Sequence, residues 1–228
     1  MTLPVHDPAT TDPAPSPRPI ERPRAGDDTD ADGERRYHHG NLRTALLEQA
    51  ELTVRERGAQ QLSLRELARD IGVSHGAPRR HFPDRQALLD ALAQAGFARL
   101  GAELRAAVDG AGDEFEARLR ATAAAYIRFA THDAALLELM FAGKRRAESG
   151  TLHDAAARAF SVLLELIDQG QADGALDRRT PDRIGLVLFA TIQGIAALVT
   201  GGMIELDRLD ELVADSIAQF LRGSRPTA

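Results

Sequence analysis

Residues 62–85 read LSLRELARDIGVSHGAPRRHFPDR and carry the clearest structural signal in the chain. Near their start stand Ser63 and, three residues later, Glu66, a capping-box pair in which each side chain accepts a hydrogen bond from a free backbone N–H. Gly72 ends the apolar pattern that follows, because a residue without Cβ tolerates the left-handed backbone of a helix C-terminus. The stretch therefore predicts a helix that begins after Ser63 and ends at Gly72.

A second, shorter helix is predicted from Ser74 to His81, and Pro83 stops it. Two helices joined by a short turn with a glycine form the helix-turn-helix arrangement of many DNA-binding domains. An ordinary helical hairpin has the same spacing. Spacing alone therefore leaves both interpretations open.

The distribution of charge favours one of the two. The chain holds 28 Lys and Arg against 34 Asp and Glu, for a formal charge of −6, whereas residues 37–85 hold eight Arg against six acids. This segment alone is net positive, at +2, compared with −3 for residues 1–36 and −5 for residues 86–228. Because affinity for phosphates comes from a local excess of basic groups, the charge favours a DNA-binding helix-turn-helix.

The short helix has almost no apolar side chain to bury, so core packing does not account for it. His75 and Arg79 lie four residues apart on one face, and Gly76 and Arg80 lie on the next. In a major groove such a helix would present imidazole and guanidinium groups to base edges and phosphates. Arginine fills 27 of the 28 basic positions, however, so a single Arg says little about selection for its chemistry.

The rest of the chain predicts helices and no strand, since apolar residues recur every three or four positions without alternation. Residues 1–36 hold seven of the eleven prolines and are interpreted as a solvated tail. A first helix ends at Gly58, and a long helix begins after Asp84, its predicted N-cap. Further helices are predicted at about 114–131, 134–141, 151–171, 182–200 and 208–222.

Two segments together resemble a known family: Tyr37–Leu42, which reads YHHGNL, and the stretch from Leu62 on. They look like the N-terminal DNA-binding domain of the tetracycline-repressor (TetR) family of transcriptional regulators, over about residues 37–100. The resemblance implies an all-α homodimer whose variable C-terminal domain binds a small molecule and sets the spacing of two recognition helices. The corresponding domains are a tail (1–36), a three-helix helix-turn-helix domain (37–84), a ligand-binding and dimerisation domain (85–223) and a second tail (224–228).

The resemblance and the charge pattern together give a set of candidate DNA contacts. Arg79 departs from the family, which most often has tyrosine there, and its guanidinium could contact either a phosphate or a guanine. The complete set of predicted DNA-binding residues is Arg43, Ser63, Arg65, Ser74, His75, Gly76, Arg79, Arg80, His81 and Arg85.

A helix in the C-terminal half carries an aromatic and polar stripe that fits either a packed core or a ligand pocket. Thr122 and Tyr126 favour the pocket, because polar groups on an apolar face orient small ligands. The resemblance also implies a cavity in this domain. The predicted ligand-binding residues are Thr122, Tyr126, Phe129, Met140, Phe141 and Phe160.

Residues 184–203 are twenty residues without a charge, long enough to cross a membrane. Four glycines and Gln193 interrupt the stretch and no polybasic flank accompanies it, so close packing of helices is the preferred interpretation. With the last helix it would form a twofold four-helix contact between two subunits. The predicted dimer-interface residues are Leu186, Phe189, Gln193, Leu212, Ile217 and Phe220.

The chain has no cysteine, no nucleophile elbow, no phosphate-binding loop and no zinc-protease motif, so neither an enzyme nor a cofactor is expected. The pairs His132–Asp133 and His153–Asp154 could meet as metal ligands, but capping positions explain them as well. Residues 144–146, Lys-Arg-Arg, are interpreted as a solvated charge run in a loop.

The function expected is that of a cytoplasmic, ligand-responsive repressor that binds a palindromic operator as a homodimer, since the N-terminus lacks an export signal. The alternative is a DNA-binding module whose C-terminal half only dimerises.

Overall fold

The computed structural model describes residues 29–146, 150–178 and 181–225. Within these ranges the chain forms α-helices and no strand, which confirms the predicted all-α class. The helices are α1 (Thr29–Arg57), α2 (Leu64–Asp70), α3 (Arg85–Gly110), α4 (Phe115–His132), α5 (Ala134–Arg146), α6 (Thr151–Ala172), α7 (Pro181–Thr200) and α8 (Leu209–Gly223). Short 3₁₀ turns lie at Ala59–Gln61, Pro78–Arg80 and Leu206–Arg208.

The chain divides into two compact units, residues 1–40 and 41–228. Residues 1–28 lie outside the described ranges, and α1 begins at Thr29, so the predicted tail overlaps this helix over residues 29–36. The second predicted tail, residues 224–228, includes a residue that packs in the fold. Ser224 is buried, and its carbonyl oxygen accepts a hydrogen bond of 2.7 Å from the backbone N–H of Asp177. Below, residues 41–84 are called the head and residues 85–225 the body.

The two predicted caps behave differently. Asp84 is the N-cap of α3, and its Oδ1 accepts a hydrogen bond of 2.8 Å from the backbone N–H of Ala87. Ser63 is the N-cap of α2, but its hydroxyl makes no capping hydrogen bond. The residue order of a capping box therefore marks the start of α2 correctly, although the predicted side-chain bond at Ser63 is absent.

The predicted helix from Ser74 to His81 is not an α-helix. Residues Pro78–Arg80 form a 3₁₀ turn. A second turn precedes it, in which the N–H of Ala77 donates to the carbonyl of Ser74 at 2.9 Å. Proline has no N–H, so the bond that an α-helix would form from position 78 to Ser74 is impossible. Residues 74–82, called the recognition segment below, are thus a chain of short turns.

The hydrophobic core runs without interruption from the head into the body, and α3 is its central element. Leu88 and Leu92 are buried near the head, and Leu104 and Val108 are buried deep in the body. A single helix of 26 residues therefore contributes to the core next to the head and to the core deep in the body.

Close contact of α3 with α6 depends on Gly101. A Cβ at Gly101 would lie 3.1 Å from the Cα of Ala159, which is tighter than ordinary packing. These small residues let two long helices cross with their backbones almost in contact, so α3 is held firmly against the body.

The predicted ranges of the C-terminal helices agree with the structure to within one residue except at the end of α5. This helix continues to Arg146, so Lys144 and Arg145 lie in its last turns and not in a loop. The prediction ended the helix where the apolar pattern ended.

Candidate functional site

The recognition segment displays most of the predicted DNA contacts to solvent. Ser74, His75, Gly76, Arg79 and Arg80 are exposed, and His81 is half-buried. Two side chains of the same segment point inward, since Pro78 and Phe82 are buried. The segment is therefore pinned to the core at two points while its polar groups face outward.

Arg43 from α1 lies beside this segment. Its guanidinium carbon is 5.4 Å from the centroid of the Phe82 ring, a cation–π contact, and the residue remains exposed. This contact brings a basic group from the first helix next to the groups displayed by residues 74–81.

Arg85 makes a contact that the sequence did not predict. Its Nε donates to the carbonyl of Leu62 at 2.9 Å, and its Nη2 donates to the carbonyl of Ala59. These bonds join the first residue of α3 to the turn that precedes α2. Arg85 therefore fixes the geometry of the helix-turn-helix, and part of its donor capacity is already used.

The remaining candidates lie on the first turn of α2. Arg65 is exposed and Ser63 is half-buried. Among the described residues, no ion pair is formed by Arg65, Arg79 or Arg80, so no carboxylate in that part of the chain neutralises their positive charges. An exposed group of uncompensated cations next to a turn of exposed hydrogen-bonding groups can contact the phosphates and bases of a duplex.

The predicted ligand-binding residues do not surround one open cavity. Thr122, Tyr126 and Phe160 do come together, but around a cavity of about 10 Å³. A space of this size barely admits one water molecule. Side chains therefore fill the interior between α4, α6 and α7.

The polar groups of this interior are already satisfied. The Thr122 hydroxyl donates to the carbonyl of Arg118 at 2.8 Å, and the Tyr126 hydroxyl donates to Oε1 of Gln193. Burial raises the pKa of the Tyr126 phenol well above its ordinary value. Within the chain, Gln193, which is predicted at the dimer interface, is the hydrogen-bond partner of this buried tyrosine.

Aromatic rings form a cluster next to the filled cavity. The ring centroids of Phe160 and Phe189 are 5.1 Å apart, and those of Tyr126 and Phe189 are 5.5 Å apart. Phe141 and Phe97 complete the cluster. Phe189, predicted at the dimer interface, thus packs inside its own chain.

Phe129 and Met140, also predicted to bind the ligand, do not line the small cavity at Thr122, Tyr126 and Phe160. The Phe129 ring sits under the Arg99 guanidinium, with 5.1 Å between the guanidinium carbon and the ring centroid. Met140 is fully buried against α3, where its sulfur occupies the space left open by Gly96. Both were assigned by convergence of helical faces, and both turn toward α3.

The predicted interface residues are divided between surface and core. Leu186 is 66% exposed, whereas Ile217 is fully buried and Phe220 nearly so, with Leu212 half-buried. The apolar side of α8 covers its own body, so Ile217 is unavailable to a second copy. Exposed apolar residues that the prediction missed lie on α7: Val187, Ala190, Ala197 and Leu198.

A cluster of charges joins α1, at the head, to the body. Asp133, which is 7% exposed, lies 2.6 Å from Nη2 of Arg55 on α1 and 2.7 Å from Nη2 of Arg99 on α3. Arg99 also pairs with Glu51 on α1. Nothing in the local sequence pattern signals these pairs, because their members are far apart in the chain.

Among the described residues, no group of three or more His, Asp or Glu side chains could hold a metal ion. In α7, the window Arg183–Thr200 is long and apolar enough to cross a membrane, and 39% of it is buried in the fold. Apolar core helices meet the same criterion.

Comparison with known families identifies both parts of the chain. The family described as bacterial regulatory proteins, tetR family, matches residues 46–92, and the tetracyclin repressor-like C-terminal domain matches residues 119–221. The chain belongs to the tetR family. The predicted membership is therefore confirmed. The prediction of a transcriptional regulator that binds DNA through a helix-turn-helix is confirmed with it. Comparison with curated proteins gives no match.

Solved structures extend the similarity of this TetR-family regulator over most of its length. A protein of unknown function from Rhodococcus sp. RHA1 is 43% identical, with a TM-score of 0.78, and the match covers 83% of this chain and 98% of that one. A putative tetR family regulator from Shewanella sp. PV-4 has 22% identity and a TM-score of 0.59, over 81% of this chain and 98% of the other. A regulator from Marinobacter aquaeolei VT8 has 16% identity and a TM-score of 0.67, over 84% and 100%. These last two share the fold.

Proposed function

We propose that this TetR-family regulator is a cytoplasmic repressor that binds a palindromic operator as a homodimer and releases it in response to a small molecule. The observation that carries the proposal is the recognition segment, whose exposed basic groups have no ion pair among the described residues while Pro78 and Phe82 anchor it to the core. A pinned segment of this kind keeps its contacts in one geometry, which sequence recognition requires.

Within the proposal the DNA contacts have two roles. Arg65 and Arg80 pair with phosphates, and His75 and Arg79 reach base edges in the major groove. Ser63, Ser74, Gly76 and His81 supply further hydrogen bonds or close backbone approach, and Arg43 reaches the DNA from its position over Phe82. Arg85 contacts a phosphate only with the part of its guanidinium that Leu62 and Ala59 leave free.

The proposed dimer forms through the exposed apolar side of α7. Val187 and Leu198 are large exposed hydrophobic residues of that helix that do not line the groove between α5, α6 and α7. Between them lie Ala190, Gly194 and Ala197, whose small side chains would let two helices approach closely. A twofold contact of this kind sets two recognition segments at a fixed separation, as a palindrome requires.

Selection of bound DNA from a random pool tests the proposal. A homodimer with two recognition segments enriches two inverted half-sites whose centres lie about one helical turn apart, or a multiple of it. Enrichment of a single half-site would contradict the dimeric arrangement. No enrichment over the starting pool would contradict specific DNA binding.

One observation favours the alternative in which the body only dimerises. The interior cavity of about 10 Å³ has no room for an effector. A thermal-shift screen of metabolite classes, followed by an operator-release assay with each hit, distinguishes the ligand-responsive repressor from the dimerisation module. A compound that raises the melting temperature and also releases operator supports sensing, whereas binding without release supports the dimerisation module.

A further inference from the structure

An apolar groove opens on the surface next to the aromatic cluster, between α5, α6 and α7. It is called the α5–α7 groove below and encloses about 280 Å³. Its walls are almost entirely leucine and phenylalanine: Phe141, Phe160, Leu163, Leu164, Leu186 and Phe189. The volume is slightly below the range of pockets that hold drug-sized ligands. It therefore suits a small, largely apolar molecule.

The floor of the groove is preorganised. Phe141 and Phe160 are stacked at 6.4 Å between ring centroids, and Phe160 meets Phe189 edge to face. All three rings are half-buried, so each packs inside the cluster and also lines the groove. Rings already fixed by their neighbours lose little conformational freedom when a ligand covers them.

Among the described residues that line this apolar groove, one is a cation. Lys144 lines it from the last turn of α5 and is the only lysine among the 28 basic residues of the chain. Among the described residues Lys144 has no ion pair, and no carboxylate lines the groove. A compact ammonium group at the edge of an apolar surface complements a ligand with an apolar body and one negative charge.

We infer that the α5–α7 groove binds a small organic acid. The apolar chain or ring of the acid lies against Phe160 and Phe189, and its carboxylate pairs with Lys144. This inference rests on the proposed function, because it names the chemical class of the effector. It also explains how an effector can act although the interior is filled, since Phe141 belongs to α5, which packs against α3, the helix that begins at the head.

Calorimetric titration of the full chain with octanoate, in the absence of DNA, tests the inference. Octanoate is expected to bind, and Lys144→Met is expected to weaken its binding about tenfold, because it removes the charge but keeps the apolar stem. Arg145→Met is the matched control: Arg145 is the next residue along α5 but lines a different groove, with Ala130, Gln193 and Thr200, and its loss should change binding less than twofold. Octanol and octylamine, which lack the negative charge, should bind at least tenfold more weakly than octanoate.

A second variant tests the apolar part of the site. Gly185 lies in the groove wall, and a Cβ there would be 3.4 Å from Cδ2 of Leu164, an ordinary contact. Gly185→Leu adds a side chain at the groove wall and should fill the groove and abolish octanoate binding, with circular dichroism as the check on folding. Absence of octanoate binding to the unaltered chain, equal binding to the Lys144→Met variant, or binding retained in a folded Gly185→Leu variant would each overturn the inference.

Operator release is measured separately, so that the two proposals can fail independently. If octanoate binds in the Lys144-dependent way but leaves operator affinity unchanged, the groove assignment stands and the proposed ligand response is contradicted for this ligand. If octanoate does not bind while the chain still selects a palindrome, the groove assignment fails and the DNA-binding proposal stands.

Discussion

At the scale of single residues, the exposed arginines of the head differ in what they already bind. Arg85 donates to the carbonyls of Leu62 and Ala59, and Arg43 lies over the Phe82 ring. Arg65 and Arg79 have no ion pair among the described residues. Arg85 and Arg43 can therefore reach DNA only with the part of the guanidinium that these contacts leave free, whereas Arg65 and Arg79 can use the whole group.

Replacement of Arg79 is predicted to change sequence preference. A guanidinium that contacts a guanine contributes about 1–3 kcal/mol of discrimination, so Arg79→Ala should reduce the affinity ratio between operator and scrambled DNA by that amount. Fluorescence anisotropy with both duplexes at constant salt measures it. Arg65→Ala is the control and should weaken binding to both duplexes by the same factor. Equal losses on both duplexes for Arg79→Ala would assign Arg79 to a phosphate.

Replacement of Arg85 is predicted to lower stability as well as DNA affinity. Arg85→Ala removes two hydrogen bonds to carbonyl oxygens, which should reduce the free energy of unfolding by about 1–2 kcal/mol because the group is partly exposed. Urea denaturation of the free protein measures this loss. Arg65→Ala, an exposed residue without such bonds, should leave the midpoint nearly unchanged. An unchanged midpoint for Arg85→Ala would contradict the positioning role.

At the scale of helices, the two N-caps of the helix-turn-helix should differ in their contribution to stability. Asp84 accepts a hydrogen bond at the start of α3, so Asp84→Ala should cost about 1 kcal/mol. Ser63 makes no such bond at the start of α2, and Ser63→Ala should cost much less. Denaturation of both variants in parallel measures the difference. Equal losses would mean that Ser63 caps its helix in solution.

The bounds of the helices could largely be predicted from the sequence, because they depend on local signals. Most predicted helix ends agree with the structure. They were marked by Gly58, Asp84 and the apolar periodicity of the body, signals that depend only on residues close together in the sequence. The prediction of an α-helix in the recognition segment was wrong for an equally local reason. Pro78 removes one N–H and converts an expected α-helix into turns, a cost that the prediction underestimated.

Which face of a helix is buried could be predicted less well. Ile217 and Leu186 both belong to apolar stripes, yet one is fully buried and the other is 66% exposed. Periodicity shows that a face is apolar but not whether it packs on the same chain or remains open. The contacts of Phe189 and Gln193 within the chain illustrate this limit, since their partners, Phe160 and Tyr126, come from distant helices.

At the scale of the whole molecule, charge pairs at Glu51 and Arg55 join the end of α1 to the body. Arg55 and Glu51 on α1 meet Arg99 on α3 and Asp133 between α4 and α5. Arg99 also covers the Phe129 ring of α4, the helix that carries Thr122 and Tyr126. A shift of α4 would therefore change the contacts that hold α1. Apart from the i,i+4 pair of Glu51 and Arg55, no local pattern could have predicted these pairs.

Loss of Asp133 is predicted to loosen this junction. Asp133→Asn leaves Arg55 and Arg99 without their shared carboxylate and should lower the free energy of unfolding by about 1–3 kcal/mol, a range reduced for the partial exposure of both arginines. Glu103→Gln is the control, because its pair with Arg99 spans 3.8 Å at an exposed site, and it should cost less than about 0.5 kcal/mol. Urea denaturation compares the two. Equal costs would show that Asp133 does not stabilise the junction.

The proposed dimer can be tested on α7, which presents apolar side chains that remain exposed in the described part of the chain. Val187 is 55% exposed, so Val187→Glu should leave the monomer folded, because the charge remains in water, but should place two like charges close together in a twofold α7 contact. Sedimentation velocity is expected to show dimers for the unaltered chain and monomers for this variant. Leu52→Glu changes an equally apolar residue, 46% exposed on α1, and should remain dimeric. A Val187→Glu protein that sediments as a dimer would place the interface elsewhere. A monomeric variant should also lose affinity for the palindrome while it retains weak binding to a half-site, because each head folds within its own chain.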